Sequence, residues 1–456
     1  AARQPWSTGQ VATRGVSYLA YDQWQLAAAG CEALVTMMPS FSPMSLYRDV
    51  HPGGAFEITR IVWAVMMNGR TRQMFPQDWA TALRHLPVLT IDESLGQRSM
   101  WWRDLVTHPS FDGYWEPLDM KPQLEHLDLP VQGVGGWFDT FLRSTLDAYS
   151  GMAREGTAHG RDQRMIIGPW YHGGNGVREP GELDFGPDAV VRLDTLELAW
   201  ADRWLRGTER GDVGAAPIRL FVMGANVWRD VWEWPPSGAR PTPYYLHSGG
   251  SANGASGDGV LDLDPPGTEP VDSFTYDPNN PVPTLGGSLP GANPDMRSGV
   301  FDQRRIEERP DVLVYTTAPL SEDLEVIGPV EVVLYAATDA RDTDFTAKLV
   351  DVHPDGRAMN LTDGIVRARY RESTRAPKLL TPGEVVEYRI DLVATANVFR
   401  AGHRVRVEIS SSNFPRFSRN LNTGGEFATE TSPIAARQRV FHDTDRASYV
   451  LLPVVR

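Results

Sequence analysis

Three residues of this chain have the types and the order needed to cleave an acyl bond through a covalent intermediate: Ser17, Asp139 and His172. A serine hydroxyl is a weak nucleophile until a base takes its proton. An imidazole serves as that base when a carboxylate holds it in the right tautomer. Ser17 lies in Gly15-Val16-Ser17-Tyr18-Leu19-Ala20, which reads as a strand running straight into a helix. A serine on such a turn is strained and lifted clear of the sheet, and the helix N-terminus behind it favours a developing anion. The pattern departs from G-x-S-x-G, since Leu19 holds the fifth position. Taken singly, Ser17 and Asp139 also read as helix N-caps, and His172 as a satisfied surface histidine. Their order (serine, acid, histidine), each at the end of a strand, is what joins them into one site.

The elements around these residues follow from hydrophobic period and turn chemistry. Residues 8–15 read as a strand and residues 18–29 as a helix, with Leu19, Trp24, Leu26 and Ala27 expected inside. Residues 34–38 form an apolar strand ended by Pro39. From 55 to about 125 the pattern is helical and rich in aromatics: Trp63, Phe75, Trp79, Trp101, Trp102 and Trp115. Strand character returns at 129–134 before Gly135-Gly136-Trp137-Phe138-Asp139, and a helix follows over 141–152. A further strand over 164–167 leads into Gly168-Pro169-Trp170-Tyr171-His172, and a helix over 193–205 stops at Gly207. This alternation is that of an α/β sheet, whose ligands bind at the carboxyl ends of its strands. From about Pro217 short alternating segments recur, beginning with 218–223 and separated by turn clusters such as His353-Pro354-Asp355-Gly356. They predict an all-β sandwich or jelly roll. Residues 248–259, rich in Gly, Ser and Asn, read as a mobile loop, and the Pro/Gly-rich stretch 277–299 as a segment packed over another domain. The expected division is therefore 1–54 and 126–216 for the α/β domain, 55–125 for a helical cap and 217–456 for a jelly roll.

Composition narrows the function. The net charge of −14 argues against nucleic acid, which needs a basic footprint. No apolar run approaches the ~18 residues of a membrane span, and residues 1–16 lack a signal-peptide pattern. Cys31 is the only cysteine, so no intramolecular disulfide forms; its surroundings read as a buried helix end. Asp342, Asp344, His353, Asp355 and Asp363 match no calcium loop and read as turn and strand-edge residues. His108 and Asp112 have the i, i+4 spacing of a metal pair, but Pro109 between them makes a structural role the better reading. Arg367, Arg369 and Arg371 alternate and read as a solvated stripe on one strand face.

Taken together, these stretches resemble the CocE/NonD family of serine hydrolases, which includes cocaine esterases, α-amino-acid ester hydrolases and cephalosporin acylases, with the X-prolyl dipeptidyl aminopeptidases as relatives. The resemblance rests on the Ser17, Asp139 and His172 motifs and on His108-Pro109-Ser110-Phe111-Asp112-Gly113-Tyr114-Trp115. It rests also on Asp342-Thr343-Asp344-Phe345-Thr346-Ala347-Lys348-Leu349, Gly402-His403-Arg404 and Ser410-Ser411-Ser412-Asn413-Phe414-Pro415-Arg416, so it runs almost the whole length. It implies an α/β-hydrolase domain, a helical cap and a C-terminal jelly roll, with Ser17 as nucleophile, His172 as base and Asp139 orienting it. It implies the backbone N–H of Tyr18 as one oxyanion donor and a tyrosine hydroxyl from an early loop as the other; residues 1–16 hold no tyrosine. A sheet of this type has several strands before the nucleophile, and the chain has room for one. The reading therefore expects an N-terminally incomplete domain, completed by a separate fragment or by upstream residues. Ala20 stands where the family has glycine. Trp63, Phe141 and Leu289 are the implied acyl-pocket residues, against the plainer reading of Trp63 and Phe141 as core. The expected activity is hydrolysis of carboxylic esters with aromatic acyl groups, without metal or organic cofactor, on a small-molecule substrate in a cytoplasmic setting, the chain alone or as a homo-oligomer. Two alternatives stay open: an acylase, amidase or X-prolyl dipeptidyl-peptidase on the same triad, and a catalytically impaired binding or scaffold protein.

Overall fold

A computed structural model describes residues 1–69, 77–155, 162–208, 216–289 and 296–456; Phe75 and residues 290–295 of the Pro/Gly-rich stretch lie outside the described residues. Among these residues the first sheet has six strands in the order β1 (Val11–Val16), β2 (Leu34–Ser40), β3 (Gln132–Phe138), β4 (Arg164–Tyr171), β5 (Ile218–Val222) and β6 (Val227–Val231). Neighbours from β1 to β5 pair in parallel and β6 turns back antiparallel on β5. Helices α1 (Tyr18–Ala28), α7 (Leu142–Glu155) and α8 (Leu193–Arg206) make the crossovers, as a parallel sheet requires. Between β2 and β3 lie the short helices α2 (Leu46–Val50), α3 (Arg60–Met66), α4 (Trp79–Ala82), α5 (Ile91–Ser94) and α6 (Met100–Thr107). They share a core built on Phe56, Ile61, Trp102 and Trp115, which also takes in Phe414 from the far end of the chain.

Among the described residues the second sheet has eleven strands: β7 (Ala239–His247), β8 (Val260–Asp262), β9 (Asp272–Tyr276), β10 (Leu313–Thr316), β11 (Leu324–Thr338), β12 (Asp344–Val352), β13 (Ala358–Arg367), β14 (Val386–Phe399), β15 (Arg404–Ser410), β16 (Ala436–Phe441) and β17 (Tyr449–Val455). It folds over so that β13 lies against β14, where the Thr362 hydroxyl donates to the Leu392 carbonyl. The result is an α/β sheet joined to a C-terminal β-sandwich, the fold class expected from the sequence.

Several local expectations are corrected. Residues 218–222 do not open the sandwich; they pair with β4 and, with β6, complete the first sheet. Helix α1 buries Ala20, Tyr21, Gln23 and Trp24, whereas Leu19 is 63% and Leu26 38% exposed. Both stripes have helical spacing. The aromatic one goes inward because its polar heads find partners: Tyr21 donates to the Leu118 carbonyl (2.8 Å) and Trp24 to Ser42 Oγ (3.1 Å). Cys31 is exposed, in the turn after that helix rather than within its packed face. Residues 248–259 are fastened by Asp258, which accepts from the N–H groups of Gly249 and Ser251, and by Asp272, which accepts from Ser248 and Ala252. The arginine stripe does not exist. Only Arg367 belongs to β13, since a 3-10 turn over Ala368–Tyr370 breaks the alternation. Arg367 is buried and bonds both oxygens of Asp344 at 2.9 Å; Arg369 bonds Asp342 at 2.6 Å; Arg371 donates to the carbonyls of Ala368 and Lys378.

The sandwich also holds a fully buried imidazole, His442, between Asp272 (2.9 Å) and Glu269 (3.0 Å), with Tyr315 and Ser248 donating to the same Asp272. Burial works against the charge on His442, but the hydrogen bonds and charges of the two carboxylates outweigh it and hold its pKa above the ordinary value. Burial likewise opposes ionisation of Asp272 and Glu269; the hydrogen bonds they accept prevail and set both below the usual range. The cluster's stability is thus present between these values. It declines as pH falls through the lowered carboxyl pKa values and as it rises through the raised imidazole pKa. His442→Asn is expected to cost roughly 3 kcal/mol or more, because it strands buried carboxylates. It should also remove the alkaline-side decline, as denaturant unfolding from pH 5 to 9 will show.

Candidate active site

Ser17 occupies the one-residue turn between β1 and α1 with φ 64° and ψ −124°, a conformation that L-residues rarely adopt and that costs of order 1–3 kcal/mol. The surroundings over-determine it. The Ser17 N–H is bonded to the Ser40 carbonyl of β2 at 3.0 Å, and the Ser17 carbonyl accepts from Ala20 and Tyr21. Gly15 is required at the turn's entry, since a Cβ there would lie 2.7 Å from the Leu19 carbonyl oxygen. Tyr18 is the first residue of α1, so its N–H has no intrahelical partner and lies at the positive end of the helix dipole.

Asp139 follows β3 and His172 follows β4, adjacent strands of the same sheet. The two strands approach closely because Gly136 has no side chain: a Cβ there would lie 2.1 Å from the Trp170 carbonyl oxygen. The structure brings Asp139 Oδ1 to 2.8 Å from His172 Nδ1. The Asp139 side chain is fully buried and that of His172 is 15% exposed. The imidazole is bracketed edge-on by two phenyl rings, Phe141 at 5.2 Å and Phe41 at 6.0 Å. Ser17 and His172 both line one pocket.

The pocket wall is completed by Tyr18, Pro43, Leu46, Val50, Trp63, Trp101 and Phe141, with Asp49, Thr59 and Arg60 as its other polar members. Trp63 stands at the centre of an aromatic run, 4.6 Å from Trp101 and 6.0 Å from Tyr18. Trp63 and Phe141 thus both line the pocket. Leu289 is not among the lining residues; it is buried, and its carbonyl accepts from Ser298 Oγ at 3.0 Å. Sequence reasoning missed Asp49, Arg60 and Trp101, although the aromatic density of 55–125 was a signal for the last. Arg60 lies over the Phe141 ring at 5.0 Å and is ion-paired to Glu57. Asp49 accepts from Ser144 Oγ (2.7 and 2.9 Å) and from the Met44 N–H (3.2 Å). Burial pushes its pKa up to about 7, with Ser144, Arg60 and Met44 opposing.

A strained serine between strand and helix, set over one pocket with a carboxylate-bound imidazole at the carboxyl ends of a parallel sheet, defines a serine hydrolase of the α/β-hydrolase type. The family model for the X-Pro dipeptidyl-peptidases (S15 family) matches residues 1–174, and that for the X-Pro dipeptidyl-peptidase C-terminal non-catalytic domain matches residues 213–451. Cocaine esterase of Rhodococcus sp. (strain MB1 Bresler) is 38% identical over 478 residues, covering 99% of this chain and 82% of the relative. Two solved structures superpose along nearly the whole chain. An aminopeptidase from a marine sediment archaeon (Thaumarchaeota archaeon) has a TM-score of 0.89 and 28% identity, over 100% of this chain and 78% of that one. An α-amino acid ester hydrolase has a TM-score of 0.85 and 26% identity, over 98% and 77%. The chain belongs to this family of CocE/NonD and X-Pro dipeptidyl-peptidase serine hydrolases.

The raised pKa of Asp49 has a measurable consequence. The folded state holds this proton longer than the unfolded chain, so the associated stability is present below the ordinary value of 3.8 and lost as pH rises to about 7. Relative to Asp49→Asn, the wild type should lose up to about 1.4 kcal/mol per pH unit across that window and nothing further above it. Paired denaturant titrations of the two proteins from pH 4 to 9 will test this.

Proposed function

We propose that this chain is a carboxylic-ester hydrolase acting through Ser17, His172 and Asp139 on small esters with an aromatic acyl group. In this reading Ser17 Oγ attacks the ester carbonyl and passes its proton to His172 Nε2. Asp139 accepts the Nδ1–H, which keeps Nε2 free as the base and stabilises the imidazolium that forms. The Tyr18 N–H, at the positive end of α1, faces the developing oxyanion. His172 then protonates the leaving alkoxide. Water, deprotonated by the same nitrogen, attacks the acyl-enzyme and frees Ser17. The observation that carries the reading is the 2.8 Å bond between Asp139 and His172, whose imidazole lines the same pocket as the strained Ser17.

The acyl preference is supported by Trp63, Trp101 and Phe141 on the wall, which suit a flat, apolar group. Recognition of a substrate ammonium would need an open, ionised carboxylate. Asp49 is the carboxyl among the lining residues, its oxygens are taken by Ser144 and Met44, and burial keeps it protonated to about pH 7. That favours neutral aromatic esters over amino-acid esters or peptide N-termini. The helices between β2 and β3 act as the cap over the site. No helix among the described residues is long and apolar enough to cross a membrane. A cytoplasmic setting accords with a single cysteine.

A fluorophosphonate probe should add one adduct to the wild type and none to Ser17→Ala, read by intact mass. Turnover of a p-nitrophenyl benzoate should fall about 10⁴-fold or more in Ser17→Ala and of order 10⁴-fold in Asp139→Asn. Equal labelling of wild type and Ser17→Ala would overturn the assignment of the nucleophile.

A further inference from the structure

Asp351, His353 and His403 gather three metal-ligating groups on the sandwich, and none of them is among the residues named above as lining the pocket. Asp351 is the next-to-last residue of β12 and pairs with Val405 of β15. His353 follows in the turn over residues 353–356, which is closed by the Gly356 N–H on the His353 carbonyl. His403 ends the turn between β14 and β15, its N–H on the Arg400 carbonyl. Two regular strands and two bonded turns therefore fix the three side chains on one rigid patch. One ligand atom from each lies within 4.8 Å of the others.

The spacing suits a metal ion. Donors held about 2.1 Å from a tetrahedral ion lie about 3.4 Å apart. His403 Nδ1 is 2.8 Å from Asp351 Oδ1, and His353 Nε2 is 4.0 Å from Asp351 Oδ2. These distances straddle the required one, and the two rings are already close, with centroids 4.5 Å apart. The side chains are 7%, 15% and 18% exposed for Asp351, His403 and His353, so an ion can enter and a solvent molecule can complete its coordination. The nearby cation, Arg357, reaches the other nitrogen of His353 only at 3.5 Å and is itself bonded to Asp355 at 2.8 Å.

We propose that Asp351, His353 and His403 bind one divalent ion of the zinc or nickel class, which clips the β12 turn to the β14–β15 turn. Two imidazoles and one carboxylate select such ions over magnesium and calcium, which take oxygen ligands. On binding, the ion takes the place of the proton between His403 Nδ1 and Asp351, and the ring ligates as its neutral Nε2–H tautomer, the proton leaving Nδ1 being matched through solvent by one taken up on Nε2. The site is structural, separate from the acyl chemistry.

The test uses the full chain stripped with a chelator, then titrated with Zn²⁺ or Ni²⁺ at pH 7.5 against a colorimetric competitor. The expected result is one equivalent bound with roughly micromolar affinity or better, a raised Tm, and no response to Mg²⁺. His353→Ala and His403→Ala should each weaken binding about tenfold or more. His403→Ala also loses its bond to Asp351, so circular dichroism checks its fold; His353→Ala, whose contact with Asp351 is longer, tests the site if His403→Ala unfolds. X-ray absorption of the zinc-loaded protein should show two imidazole ligands. Absence of binding overturns the proposal, as does binding that both substitutions leave unchanged, which would mark adventitious surface histidines.

Discussion

Glu57 is buried to 1% exposure, and a carboxylate so placed is tolerable only if its charge is matched on every side. Its partners come from three parts of the chain. Arg60 of α3 pairs with it, Thr140 donates to both of its oxygens (3.2 and 3.3 Å), and Arg416 of the sandwich approaches at 3.4 Å. Arg416 is in turn paired with Asp363, which also accepts from Asn413. Thr140 is the residue between Asp139 and Phe141, so the carboxylate that pairs with two arginines also fixes the loop carrying Asp139 and one pocket ring. Cap, sheet and sandwich are thereby held to one geometry by an electrostatic requirement rather than by packing alone.

The same economy of close contacts recurs where the strands end. The Ser17 N–H is held by Ser40 on the neighbouring strand, and Gly136 lets the carbonyl of Trp170 pass. The indole N–H of Trp170 is carried away to the Ala189 carbonyl (2.6 Å), and that of Trp137 to the Phe221 carbonyl (2.7 Å). These aromatic motifs are thus wedges with satisfied polar heads. They set the separation of the two loops on which Asp139 and His172 stand. Phe41 and Phe141 then leave the imidazole little freedom except along its bond to Asp139.

How much of this is legible in the sequence depends on whether the signal is local. The fold class was readable because strand, turn and helix signals alternate before residue 217 and only strand signals follow. The order of Ser17, Asp139 and His172 was readable because each stands at the end of an apolar run. The pocket's polar wall was not: Asp49 and Arg60 lie on short helices whose inner face is decided by Ser144 and Glu57, distant in sequence or chemically unremarked. The inward face of α1 was read rightly at Trp24 and misread at Leu19 and Leu26, which are more apolar than Tyr21, while burial followed the residues with hydrogen-bond partners. The arginines after β13 failed the alternation rule because the strand stops at Arg367. Asp344 and Asp342, the buried partners of Arg367 and Arg369, bond Asn420 as well, a pairing no spacing rule suggests.

Strands β5 and β6 lie on the far side of the border between the two matched family regions, yet they belong to the first sheet. Just after β5, the Met223 N–H bonds the Ala396 carbonyl of β14, and the Met223 carbonyl accepts from Val398. Phe221 and Val222 share one continuous core with Trp137 and with Val326 and Tyr388 of the sandwich. A gene break at that border would leave the catalytic half without its last two strands and strip main-chain partners from the other. Neither region therefore has its full set of main-chain and core partners without the other, and shuffling either into a new protein would have to carry this shared seam along.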